Sequence, residues 1–76
     1  MTQTTKPHIR RDPGVEHAIA AAGGTFGALA KILGISARTI AAWPQVPAER
    51  VLQIERLVRG SDRHVMRADL YPRERT

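Results

Sequence analysis

The chain has 76 residues and no cysteine. That excludes a disulfide framework and any thiolate metal site. No apolar run approaches the ~20 residues of a membrane span. The opening "MTQTTKPHIRRD" contains no apolar stretch of signal-peptide length. A soluble cytoplasmic protein, with no membrane partner, is therefore expected. Segments with the two-residue period of a strand are missing, as are repeats and low-complexity blocks, so the expected class is all-α. Acidic residues are few: seven Asp and Glu face twelve Lys and Arg, for a net charge of +5, and all but two of the basic residues are arginine. Guanidinium pairs with phosphate as a planar fork, so this balance suits a polyanionic partner. A chain this short forms one small domain with a limited core, which dimerisation would help. It leaves little room for a catalytic pocket, and an enzyme is not expected.

What is present divides the chain cleanly. Residues 1–11 carry Lys6, Arg10 and Arg11 without apolar periodicity and read as a flexible basic arm. Residues 12–72 read as the folded domain and 73–76 as a disordered tail. Asp12 followed by Pro13 starts a helix, with Val15, Ile19 and Ala22 on one face and Gly23-Gly24 at its end. Thr25 caps a second helix whose stripe is Phe26, Leu29, Ala30 and Leu33, and Gly34 closes it. Ser36 caps a third helix from Ala37 to about Trp43, where Pro44 stops the run. In "QVPAERVLQIERLVRG", Pro47 opens a fourth helix with Val51, Ile54 and Val58 on one face and Leu57 beside them, and Gly60 ends it. The remainder suggests a short fifth helix near Arg67 to Leu70, or an extended piece over His64 to Met66.

The second and third helices have the spacing of a helix-turn-helix. Ala30 supplies the small residue where two helices cross, Gly34 follows four residues later at the turn, and Ile35 comes next. Ile40 and Trp43 lie on the buried side of the third helix. Ser36, Ala37, Arg38, Thr39, Ala41 and Ala42 are expected to face outward. In such motifs that face lies in the major groove of double-stranded DNA. Arg38 is the outward side chain able to bond guanine O6 and N7 as a fork, and Thr39 can bond a base edge or touch a thymine methyl. The alanines can only pack, and Gln45, just past the helix, can reach an adenine edge. The capped N-termini at Thr25 and Ser36 suit phosphate. Lys6, Arg10 and Arg11 can track phosphates or enter a minor groove. So small a reading face shifts part of the specificity to DNA shape.

These residues carry a family resemblance. "LAKILGISARTIAAW" resembles the helix-turn-helix of Cro-like phage repressors, and "VPAERVLQIERLVRG" with "RHVMRADLYP" resembles the YdaS-type subgroup. That subgroup carries a Leu-Arg-Pro-Asp-like tail; here Met66-Arg67-Ala68-Asp69 keeps two of its four positions. The resemblance covers roughly residues 15 to 72. It implies a compact, lambda-repressor-like DNA-binding domain of four to five short helices, often a homodimer on a palindromic operator in a bacterial, phage or toxin–antitoxin-like setting. The implied role is a transcriptional repressor, with Ser36, Arg38 and Thr39 on the reading helix. Ala37, Ala41 and Ala42 stand where many relatives place polar readers.

A protein-interaction module, antitoxin-like or host-factor-binding, and a weakly specific architectural DNA binder are the alternatives. No cofactor or metal is expected, because His8, His17 and His64 are scattered. Glu49 and Glu55 are expected to pair locally with Arg50, Arg56 or Arg59. Leu52, Leu57, Val65, Leu70 and Tyr71 either complete one monomer's core or form a dimer seam, and the C-terminal part favours a seam.

Overall fold

The Asp12 carboxylate starts the first helix: its Oδ2 accepts from the backbone N–H of Gly14 at 2.9 Å and of Val15 at 3.2 Å. Pro13 fills the next position, where a helix has no use for an N–H. In this computed structural model, which describes residues 12–72, the chain forms five helices and, among the described residues, no strand. They are α1 (Pro13–Ala22), α2 (Phe26–Leu33), α3 (Ala37–Ala41), α4 (Ala48–Leu57) and α5 (Arg63–Met66). The arm residues Lys6, His8, Arg10 and Arg11 and the tail 73–76 lie outside the described residues.

One core joins all five. Val15, Ala18 and Ile19 of α1 meet Leu29, Ala30 and Leu33 of α2, Ile40 of α3, and Val51 and Ile54 of α4. Val46, Val58 and Met66 close it from the connections and from α5. Among the described residues no polar or charged side chain is fully buried. The helix faces drawn from the apolar spacing are thus the buried ones, with Phe26 and Ala22 half-buried at the margin.

Three boundaries depart from the sequence reading. Helix α3 stops at Ala41, before Trp43, because Pro44 drives its predecessor out of helical geometry. Helix α4 stops at Leu57, ahead of Gly60: Val58 is extended, and the Ser61 hydroxyl donates to the Val58 carbonyl at 2.7 Å. The last helix begins four residues earlier than expected and replaces the extended alternative over His64 to Met66. Asp62 caps it by accepting from His64 N–H at 2.8 Å, while Arg67 to Leu70 form a turn.

Helix α1 crosses α5 at Gly14, which is buried. A Cβ at Gly14 would collide with the carbonyl oxygen of Met66, and a backbone atom cannot move aside as a side-chain tip can. Gly27, by contrast, is exposed, and a Cβ there meets only Thr25 Oγ1 at 4.0 Å. Gly14→Ala should therefore cost ~1–3 kcal/mol through overpacking. Gly27→Ala should be neutral or stabilise by up to ~1 kcal/mol. Urea unfolding of both variants checks this, and equal midpoints would refute the close α1–α5 contact.

Candidate nucleic-acid interface

Gly34 sets the geometry of the candidate surface. It adopts φ 74° and ψ 30°, a left-handed conformation that opposes a Cβ. The carbonyl of Ala30 receives the N–H of Gly34 at 2.8 Å and that of Ile35 at 3.1 Å. The chain leaves α2 in this tight turn and enters α3 at Ala37, three residues after Gly34. Ile35 is half-buried against the core, and Ile40 is fully buried. Trp43 is half-buried against the core, as its spacing suggested.

The hydroxyls beside the turn are engaged. Ser36 Oγ accepts from Thr39 N–H at 3.1 Å and lies 2.9 Å from Thr39 Oγ1. Two hydroxyls sharing one bond consume one of their two protons, so the pair keeps one O–H for an outside acceptor. Thr25 Oγ1 accepts from Ala28 N–H at 3.0 Å, leaving its own O–H available to a phosphate oxygen. Arg38 is exposed and makes no ion pair or side-chain hydrogen bond among the described residues. Ala41, Ala42 and Gln45 are exposed as well. Ala37 is a correction: it is half-buried and packs against the core rather than facing outward, because α3 lies against α2 and its first residue is on the packed side. The structure thus brings together Ser36, Arg38, Thr39, Ala41 and Ala42 on one short element, with Gln45 just after it.

Several other polar side chains bind segments of the frame together. His17 Nε2 accepts from Asp62 N–H at 2.9 Å, which joins α1 to the start of α5. His64 Nδ1 lies 2.8 Å from the Tyr71 carbonyl, so that nitrogen carries the proton. Among the described residues, no acidic or histidine cluster is arranged for a metal ion. Glu55 pairs with Arg63 across the α4–α5 connection, at 3.0 Å, and not with Arg56 or Arg59. Arg50 bonds Gln53 at 2.8 Å rather than Glu49. Leu52, Leu57, Val65 and Leu70 stay 40–48% exposed, so they do not complete the core; Tyr71 does pack against it.

One group escaped the sequence reading of the site. Arg67 donates from Nε and Nη2 to the Asp69 carboxylate at 2.9 and 2.7 Å, and from Nη1 to the Val46 carbonyl at 3.0 Å. Val46 lies in the connection that leaves α3. The signal available was the Arg-x-Asp of the tail, which says nothing about a carbonyl 21 residues away.

A family model described as bacterial toxin YdaS matches residues 15–74. The chain belongs to the YdaS family. YdaS proteins are helix-turn-helix proteins of the Cro/CI-like kind, and the five-helix fold agrees with that membership. Membership suggests a small phage-type regulator or toxin–antitoxin-like protein. No curated protein and no solved structure matches it significantly. Among the described residues of this YdaS protein, no helix is long and apolar enough to cross a membrane.

Ion pairing makes the frame sensitive to acid. The Arg63 side chain and N–H hold the Glu55 carboxyl below its ordinary value of 4.5. The Arg67 fork holds the Asp69 carboxyl below its ordinary 3.8. Folded values below the unfolded ones stabilise above the ordinary carboxylate range, and that stabilisation is lost as pH falls through the folded values. Stability should therefore drop from about pH 5 downward. In urea titrations Glu55→Gln should be less stable than the parent at about pH 7, and the gap should close at about pH 2. A gap independent of pH would exclude the Glu55–Arg63 pair as its source.

Proposed function

We propose that this YdaS-family protein is a non-enzymatic transcriptional regulator. It binds double-stranded DNA sequence-specifically as a homodimer and represses by occluding a promoter. The observation that carries the reading is the Gly34 turn, which presents α3 with Arg38 exposed and uncommitted. A guanidinium without an internal partner loses no ion pair when it forks onto guanine O6 and N7. The spare O–H groups at Thr25 and at the Ser36–Thr39 pair give phosphate donors on either side of that turn. Exposed Ala41 and Ala42 let the helix approach a groove closely and contact thymine methyls. Gln45 extends the reading surface past the helix, and the Lys6, Arg10 and Arg11 arm adds phosphate or minor-groove contacts. Such a protein works on the bacterial nucleoid in the cytoplasm.

The same alanines favour a second reading. A face with one guanidinium and mutually bonded hydroxyls recognises few bases, so binding dominated by phosphate and DNA shape fits it too. The family's description as a toxin names no DNA site and does not choose between the two.

Selection of bound sites from a random duplex pool at near-physiological salt separates the two. A repressor enriches a palindrome with half-sites about 10 bp apart. Arg38→Ala should then lower the specific-to-random affinity ratio by ~1–3 kcal/mol. Equal losses on both DNAs would remove Arg38 as a base reader, and no enrichment would leave the shape-dominated reading. In either case affinity should fall steeply with salt, because each neutralised phosphate releases a counterion.

A further inference from the structure

We propose that Arg67 is a positioning residue for the exit of the reading helix. Held by Asp69, it fixes the Trp43–Pro47 connection and with it the pose of Gln45. The consequence for DNA rests on the DNA-binding reading above; the positioning itself does not.

The connection from α3 to α4 has little of its own to hold it. Pro44 and Pro47 have no N–H to donate. The local bonds stand at its two ends, Trp43 N–H to the Ile40 carbonyl at 3.0 Å and Arg50 N–H to the Pro47 carbonyl at 2.8 Å. Between them, Val46 is fully buried and anchors the segment by its side chain. No backbone N–H among the described residues reaches its carbonyl. A buried carbonyl needs a donor, and Arg67 Nη1 supplies it from 21 residues further on.

Arginine suits this task for a geometric reason. Its guanidinium is planar, with donors on two sides. Nε and Nη2 point one way and are taken up by the two oxygens of Asp69. Nη1 points the other way, to Val46. The carboxylate fork therefore fixes the plane, and the plane fixes where the third donor aims. Exposure agrees with this order: the Arg67 side chain is 11% exposed and that of Asp69 60%, so the arginine lies inside and the aspartate closes over it. Lysine could reach one of these acceptors but could not hold both at a set angle. Gln45, Arg67, Asp69 and Asp12 line one cleft of about 270 Å³, so the clamp stands beside the residue it positions. The base of the clamp is closely packed, because the backbone of Met66 in α5 is seated on Gly14 of α1 immediately before Arg67.

The test compares Arg67→Lys and Asp69→Asn with the parent full-length protein, with folding checked by circular dichroism. Amide hydrogen exchange at Trp43 and at Arg50, whose N–H bonds the Pro47 carbonyl at the end of the connection, is read against that of Leu29 and Leu33 in α2. Affinities are measured on the selected site and on random duplex. The expected result is faster exchange at Trp43 and Arg50 with α2 unchanged. The site-to-random affinity ratio should fall about fivefold, with affinity for random DNA kept in Arg67→Lys and no lower than the parent's in Asp69→Asn, which removes a negative charge. A merely structural role would speed exchange everywhere or lower both affinities together, and either outcome overturns the proposal. Unchanged exchange at Trp43 and Arg50 in a folded variant also overturns it. If the parent selects no site, the repressor reading fails and the exchange data alone decide the positioning. Should Arg67→Lys not fold, Asp69→Asn, which keeps the guanidinium and the side-chain shape, carries the same readings.

Discussion

Everything presented to the outside depends on one turn. At Gly34 the chain takes a left-handed conformation, and one carbonyl, that of Ala30, collects two N–H groups. Those bonds leave α3 a single direction of departure. A helix of five residues has no stability of its own, because nucleation costs more than so few hydrogen bonds return. It exists here because the turn delivers Ile40 into the core, with α3 packed against α2. Burying that side chain contributes ~1.5–3 kcal/mol. The short helix is therefore a product of tertiary packing.

The frame around it is divided by chemistry. Its interior is aliphatic, and among the described residues no charged side chain is fully buried. Polar contacts run instead around the periphery and join segments distant in sequence. His17 reaches the cap of α5, Glu55 reaches Arg63, and Arg67 reaches Val46. Such contacts add little energy singly where water screens them. Their effect is to set angles: α1, α5 and the connection after α3 are all referred to the segment between Asp62 and Asp69. Helix α3 is thus constrained at its entry by a backbone turn, and the connection after it is tied by the Arg67 side chain.

Under the DNA-binding function proposed above, the chemistry of the α3 face limits how it could read a sequence. Two hydroxyls are bonded to each other, and two exposed residues are alanine. A small face lets backbone and groove come close. In that function it would reward DNA whose groove has the right width as much as DNA with the right base edges. Small differences in the pose of α3 or Gln45 then matter more than they would on a face rich in long polar side chains.

The sequence by itself determined what is local. Asp12, Thr25 and Ser36 cap because their acceptors reach N–H groups two or three residues on. Gly34 turns because its φ is positive, and the apolar stripes of α1, α2 and α4 follow from helical period. The helix-turn-helix and most of its outward residues were legible for that reason. Tertiary structure alone decided whatever depends on which distant segments meet. Ala37 is half-buried because of what lies beneath it, although its neighbours are exposed. The last helix lies over Arg63–Met66, because Asp62 caps it and Met66 seats on Gly14. Glu55 chose Arg63 over nearer arginines on its own helix, and Arg67 found a carbonyl that no spacing rule connects to it. Capping and periodicity act over one helical turn, whereas these pairings form only once the core has brought the helices together.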